Sequence, residues 1–356
     1  MLVHVCCSVD SHYFFKKLIE LYPNEKIVAF FYDPNIHPYS EYYLRFIDVQ
    51  RSCKMLNIEL VMGEYDYENW LNSVKGLEEE CEGGKRCEVC FDVRLLESAK
   101  LAKRLGEKVL TTTLLVSPKK SIELLQKSGE KIAKEYDLEF LTIDLRKFGG
   151  TQKQYEVAKD DMLYKQNYCG CYFALAKQKK EVVITELISS VNRQLLPNSI
   201  EEKIELYEKR VMLENCGKKY KIVKQNFLNY RLLFAKVLVE KMVVESYIFS
   251  YSILKNSFAK CRVDFEIDGL FYFNKSQIKV LDIKKFNSLL NKNYKNVKEL
   301  NKNPLTIIEE IEFRNSYFGV YDLSAIIILD EICDKSYEIF IKSTIFEDVR
   351  EVLITF

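Results

Sequence analysis

Five short apolar runs divide the first 150 residues: Leu2–Val5, Ile27–Tyr32, Ile58–Met62, Lys108–Leu115 and Glu139–Ile143. A stretch that reads as helix or helix-opening follows each of them. That alternation constrains the chain to an α/β fold built on a doubly wound, mostly parallel sheet. In such sheets ligands bind outside the carboxyl ends of the strands, beside helix N-termini that favour anions. The unusual residues of this sequence fall at that end. Cys6-Cys7 follows the first run, with Ser8, Asp10 and Ser11 opening a helix. Asp33-Pro34-Asn35-Ile36-His37-Pro38 follows the second run and leads into a helix over Tyr39–Leu56 that carries Glu41, Tyr42 and Arg45. The spacing of Leu95, Ala99, Ala102 and Leu105 predicts an amphipathic helix over Phe91–Leu105, preceded by a loop over Cys81–Cys90. Cys87 and Cys90 then sit at a helix N-terminus, where thiolate is favoured over thiol. A helix over Gln152–Leu163 delivers the chain to Tyr168-Cys169-Gly170-Cys171.

Eleven cysteines in 356 residues need a reason. Met1 enters an apolar run with no basic leader before it, and no segment approaches a membrane span. A cytoplasmic location without membrane contact is expected, and there cysteines serve metals or redox chemistry more than structural disulfides. Six of them form short pairs in the first half, whereas Cys53, Cys81, Cys216, Cys261 and Cys333 stand alone. The net charge of +1 gives no global field for nucleic acid and leaves a local basic patch open.

The character changes near residue 180, so residues 1–180 are expected to form one domain and 181–356 a smaller α+β extension. Within the extension, Val182–Glu214 reads as helix broken at Pro197-Asn198-Ser199, and Phe227–Ser246 as another helix. Val263–Phe273, Ile278–Ile283, Ile307–Phe313, Ala325–Leu329, Tyr337–Phe340 and Val352–Phe356 read as strands, and Asn291–Asn303 as polar loop or helix end. No constellation of convergent polar residues is visible there, which suits a packing or partner-binding appendage.

A Cys-x-x-Cys pair serves zinc, an iron–sulfur cluster or a redox dithiol equally well. Zinc closes on four ligands and would leave two of the six paired thiols unused. A cluster plus a second thiol centre uses all six. The sequence resembles the epoxyqueuosine reductase QueH family over roughly residues 2 to 175. The resemblance is carried by His4-Val5-Cys6-Cys7, by Tyr32–Pro38 with Glu41-Tyr42, and by Glu82–Phe91 with Arg94-Leu95. Thr111–Lys119, Arg146–Gly150 and Gln166–Cys171 complete it.

The resemblance implies reduction of the epoxide of epoxyqueuosine to give queuosine at the tRNA wobble position, without cobalamin or flavin. It also implies a 4Fe–4S cluster on Cys6, Cys7, Cys87 and Cys90, with Cys169 and Cys171 as a redox pair. Alternating strand side chains separate Cys6 from Cys7, and a bridge across Gly170 alone is strained. The alternative places one thiol of each crowded pair on the cluster and the others, with Asp10, on a second iron. Removing the epoxide oxygen takes two electrons, one more than a cluster normally passes at once, which also calls for a second centre and an external low-potential donor.

Asp10 is then an iron ligand or acid, or else the helix N-cap. His37 is a proton donor, or else fixes its loop. His4 reads as a core residue. For the tRNA anticodon loop the expected contacts are Tyr32, Glu41, Arg86, Lys119 and Arg146, with Tyr39, Tyr42, Lys85, Lys120, Lys147 and Lys177–Lys180 around them. Two other readings compete. One is a PP-loop-like, ATP-dependent tRNA-modifying enzyme, against which the missing phosphate-loop glycines count. The other is a zinc-stabilised RNA-binding module without catalysis.

Overall fold

The computed structural model describes residues 1–118, 120–178, 188–189 and 194–356. These residues form two compact units. The first comprises Met1–Val183, Lys203–Ile222 and Leu353–Phe356, and the second Ile184–Glu202 and Val223–Val352. The units therefore do not part at one point near residue 180, because a helical segment from the second half of the chain returns to the first unit.

The first unit is built on strands β1 (Leu2–Val5), β2 (Val28–Phe31), β3 (Glu59–Met62), β4 (Val109–Thr112) and β5 (Glu139–Phe140), in the order β3-β2-β1-β4-β5. All four pairings are parallel, with Leu2 opposite Val28 on one side and Leu110 on the other. The order reverses between β1 and β4, and a ligand crevice opens at such a switch point. Helices α1 (Ser8–Leu21), α2 (Tyr39–Met55), α3 (Tyr67–Ser73), α4 (Lys85–Leu105), α5 (Ile122–Glu135), α6 (Gly150–Asp160) and α7 (Tyr172–Gln178) alternate with or follow these strands.

The period of two in the strands sorts their side chains onto two faces. Val3, Val5, Ala29 and Phe31 pack with Phe14, Phe15 and Leu18 of α1 and Tyr42 and Val49 of α2. Leu2, Phe30, Tyr32 and Leu110 pack with Leu95, Ala99 and Ala102 of α4 and Ile132 of α5. Both faces are covered, which is why the strands are continuous apolar runs.

Several bounds differ from the sequence expectation: β5 stops at Phe140 rather than Ile143, and α6 runs Gly150–Asp160 rather than to Leu163. The fourth strand stops at Thr112, and Thr113–Val116 tightens into a 3-10 turn with Thr112 as its cap. Helix α4 starts at Lys85 rather than Phe91, after a turn in which Gly83 takes φ 92°. Cys87 and Cys90 thus occupy its first two turns.

Helix α8 (Ile200–Asn215) supplies most of the returning segment. Its Arg210 is completely buried, donates to Met162 O at 2.6 Å and pairs with the equally buried Asp48 of α2. Asp48 also accepts from Ser8 Oγ and from the Tyr164 N–H at 2.7 Å, so Arg210 acts on the start of α1. The part of the expected Val182–Glu214 helix before residue 188, and residues 190–193, lie outside the described residues.

In the second unit the helix expected over Phe227–Ser246 is strand, spanning Tyr220–Val239 and Met242–Val244, which pair antiparallel as a hairpin. Its Leu232, Val237, Val239 and Val244 pack on a sheet core with Phe273, Val280 and Ile339, and that core decides the conformation. The strand expected over Ile307–Phe313 is instead a helix, Ile307–Tyr317, started by a capping box between Thr306 and Glu309. The two terminal strands merge into one, Tyr337–Thr355.

Candidate functional site

Cys6 and Cys7 close β1 at the switch point, and Cys7 is the extended residue (φ −163°) that precedes α1. The break in strand geometry brings their Sγ atoms to 4.0 Å of each other. Cys6 Sγ also lies 4.0 Å from Asp10 Oδ2 and 3.9 Å from Thr113 Oγ1, at the end of β4. No side-chain hydrogen bond caps α1, so Asp10 does not serve as an N-cap. Its Oδ1 instead accepts from Gln154 Nε2 of α6 at 2.5 Å. Ligand atoms of Cys6, Cys7 and Asp10 all fall within 4.8 Å of one another, a group able to hold a metal ion.

The electrostatics of this trio favour a cation. The contact with Cys6, then burial and the Asp10 charge, push the Cys7 thiol well up. Burial lifts the Asp10 carboxyl to about 6, against its hydrogen bonds and the charges of Arg45 and Lys120. A metal reverses both trends by pairing directly with thiolate and carboxylate. Two soft sulfurs and one oxygen suit a first-row transition metal better than calcium or magnesium.

The other paired thiols arrive at the same end of the sheet. Cys87 Sγ accepts the Gly83 N–H at 3.2 Å. Cys6 and Cys87 flank one apolar group of Phe91, Leu114, Leu115 and Leu125. Cys90 and Cys171 share another with Trp70, Val74 and Ala174. Burial pushes Cys90 up to about 12, despite Arg94, and raises Cys171 as well.

Cys169 goes the other way. Burial raises its pKa, but Lys120, Arg94 and Arg45 outweigh it and hold the thiol below its ordinary value. Lys120 Nζ lies 3.4 Å from Cys169 Sγ and 3.0 Å from Glu82 Oε1. Arg94, ion-paired with the buried Asp33, is within electrostatic reach of Cys90, Cys6 and Cys169. Three buried cations therefore surround the thiols.

The loop bearing Cys169 and Cys171 is fastened by main-chain contacts. Arg45 donates to Tyr168 O at 3.0 Å and Cys169 O at 3.1 Å, and Glu41 grips its Nε at 2.7 Å. The His37 N–H donates to Gly170 O at 2.9 Å, while Tyr168 Oη donates to His37 O at 2.8 Å. Gly170 holds φ 103°, and a Cβ there would lie 2.7 Å from Ile36 Cγ1. Only glycine fits.

Several expected surface contacts are internal. Tyr32 is buried and stacked on Phe30, with no face for a base. Glu41 is committed to Arg45 and to Tyr164, whose hydroxyl donates to it at 3.0 Å. Arg86 is 1% exposed and donates to the carbonyls of Leu77, Glu78 and Glu80, so it folds the loop before α4 and offers no charge to phosphate. Arg146 donates to Ser117 O at 3.3 Å and Lys120 O at 2.8 Å, tying its loop to the pocket wall. Lys119, and Lys179 and Lys180 of the basic cluster, lie outside the described residues. His37 stacks on Tyr67 at 5.0 Å, and burial lowers its pKa. His4 is a core residue held by Thr112 Oγ1 at 2.8 Å and Tyr32 O at 3.1 Å.

Asp10, Lys120 and Cys169 line one small pocket of about 140 Å³, together with Glu82, Ser117, Tyr155 and Gln166. Near it the loop after β5 presents Phe148, 99% exposed and held at φ 53°. Sequence reasoning passed over Gln154, Phe148 and Arg210. Phe148 alone carried a signal, as an aromatic between Lys147 and two glycines.

A family model described as epoxyqueuosine reductase QueH matches residues 1–177. The epoxyqueuosine reductase QueH of Helicobacter pylori is 40% identical over 98% of this chain and 98% of its own. The chain belongs to the epoxyqueuosine reductase QueH family. It is an oxidoreductase that reduces epoxyqueuosine in queuosine biosynthesis. The Thermotoga maritima QueH is 34% identical over 51% of this chain and 93% of its own, and the Haemophilus influenzae QueH is 34% identical over 51% and 73%. Those two alignments cover about half of this chain, whereas the Helicobacter QueH aligns along nearly all of it. Among solved structures, the U34-tRNA thiolase NcsA from Methanococcus maripaludis with its [4Fe-4S] cluster aligns at 12% identity and TM-score 0.35 over 60% of this chain and 73% of its own. No described helix is long and apolar enough to cross a membrane.

Proposed function

We propose that this chain reduces epoxyqueuosine in tRNA at a two-part metal centre whose six thiols are divided between the parts. Cys6, Cys87, Cys90 and Cys171 hold a 4Fe–4S cluster; Cys7, Cys169 and Asp10 hold a second iron. What supports the reading is that the paired thiols have different further neighbours, Cys6 touching Cys7 and Asp10 but also reaching the apolar group beside Cys87. Cys6 and Cys171 pack with the cysteines of α4. Cys7 contacts Asp10, which shares a pocket with Cys169. Bound there, the cluster would supply single electrons and the iron a Lewis acid for the epoxide oxygen.

The chain's own residues prepare the place. Lys120, Arg94 and Arg45 offset the negative charge of gathered thiolates in a buried site, where an unpaired charge is costly. Gln154 donates to the Asp10 carboxylate and fixes its orientation, as hydrogen-bond partners behind metal ligands do. Ser117, which ends the 3-10 turn after β4, walls the pocket. Electrons come from an external low-potential donor. The wobble nucleotide enters from the anticodon loop, with Phe148 offering a stacking face and Lys147 and Lys165 exposed charges for phosphates. In fold terms we read the first unit as PP-loop-like, its phosphate loop replaced by the Cys6–Ser11 turn.

The partition is tested by single replacements in protein purified without oxygen. Cys87→Ser is expected to remove cluster sulfide together with iron. Cys7→Ser is expected to lower iron by about one per chain and abolish turnover while sulfide stays. Equal loss of sulfide in both variants would refute the division.

A further inference from the structure

We infer that Gln166 recognises the hydroxyl groups of the substrate's cyclopentane ring and so sets the enzyme's selectivity for the hydroxylated epoxide. The inference rests on the epoxide reduction described above and adds a residue to it. Gln166 lines the pocket that Asp10 and Cys169 also line. Its Oε1 is buried and has no hydrogen-bond partner among the described residues. A buried acceptor without a partner costs free energy, and proteins seldom keep one without a use. The segment is not loose, because Arg45 fixes the carbonyls of Tyr168 and Cys169 immediately after it. The acceptor is therefore held in place with no donor beside it among the described residues.

Size selects which part of the substrate meets it. The pocket holds about 140 Å³ and opens to solvent, so it can seat one small ring while the rest of the nucleoside lies outside. The ring that must reach Cys169 and Asp10 is the one bearing the epoxide, and that ring also carries two neighbouring hydroxyl groups. A carboxamide offers one acceptor and one donor side by side, which matches a vicinal diol that donates from one oxygen and accepts at the other. Charged groups in the same pocket have other tasks: Lys120 is engaged by Glu82 and Cys169.

The test compares two anticodon stem-loops, one carrying epoxyqueuosine and one carrying the same epoxide on a ring without hydroxyls. Wild-type turnover of the first is the control; if that fails, the reductase reading falls and not the role of Gln166 alone. Gln166→Met keeps the length of the side chain and removes both polar atoms. It is expected to lower kcat/KM on epoxyqueuosine by about ten- to a hundredfold, mostly through KM, and to leave the hydroxyl-free epoxide unchanged. Gln166→Glu keeps an acceptor and is expected to recover part of the selectivity. A structural role would instead lower both substrates equally. Either that result or unchanged selectivity in Gln166→Met overturns the inference, with iron content and thermal midpoint measured alongside.

Discussion

Gln154 Nε2 donates to Asp10 Oδ1 at 2.5 Å across 144 positions of sequence, joining the last helix before the Cys-Gly-Cys loop to the first turn after β1. Asp10 is buried, and Gln154 is 1% exposed. Leu in place of Gln154 fills the space and removes the donor. The expected result is a loss of about ten- to a hundredfold in second-iron affinity and in turnover, with sulfide content unchanged. Iron titration of the variant checks it; wild-type affinity would show that Asp10 needs no support.

The Lys120–Cys169 contact makes a pH prediction in metal-free protein. The folded pKa of Cys169 is held down because Lys120, Arg94 and Arg45 outweigh burial. Lys120→Met removes the nearest charge, so burial raises the pKa and less thiolate is present at any given pH. The pH profile for alkylation of Cys169, followed by mass spectrometry, should move to higher pH. A profile that stays or moves down would show that Lys120 does not control this thiol.

Arg210 joins the second half of the chain to the catalytic unit through Asp48. Arg210→Met leaves the Asp48 charge buried without its partner, at a cost of about 3–5 kcal/mol. Chemical denaturation should show that loss. A change below about 1 kcal/mol would mean that the contact is not maintained in solution.

Phe148 offers the opposite pattern. Its side chain makes no use of the fold, so Phe148→Ala should leave stability within about 0.5 kcal/mol. Binding of the anticodon stem-loop should weaken by about 1–3 kcal/mol if a base stacks there. Unchanged binding would remove Phe148 from the tRNA surface.

These residues also mark what the sequence makes legible. Strand β1 is visible to the residue because both faces of a parallel strand are apolar, and its end places Cys6 and Cys7 without further help. Cys87 and Cys90 read correctly as a helix-start pair, although Gly83 and Gly84 conceal how early α4 begins. The strand over Tyr220–Val239 reads as helix because its pattern is settled by packing against distant strands, which local periodicity does not report. The same reason makes Arg86 read as a surface charge: its partners are main-chain carbonyls, which no side-chain pattern announces. Gln154 and Arg210 were out of reach because the carboxylates they hold, Asp10 and Asp48, lie more than a hundred residues away in the sequence.

The metal centre is the core of this account, and its composition is directly measurable. Protein purified without oxygen is analysed for iron, acid-labile sulfide and zinc. About five irons and about four sulfides per chain, with turnover of an epoxyqueuosine stem-loop by a low-potential reductant, is the expected result. Stoichiometric zinc without sulfide would contradict it.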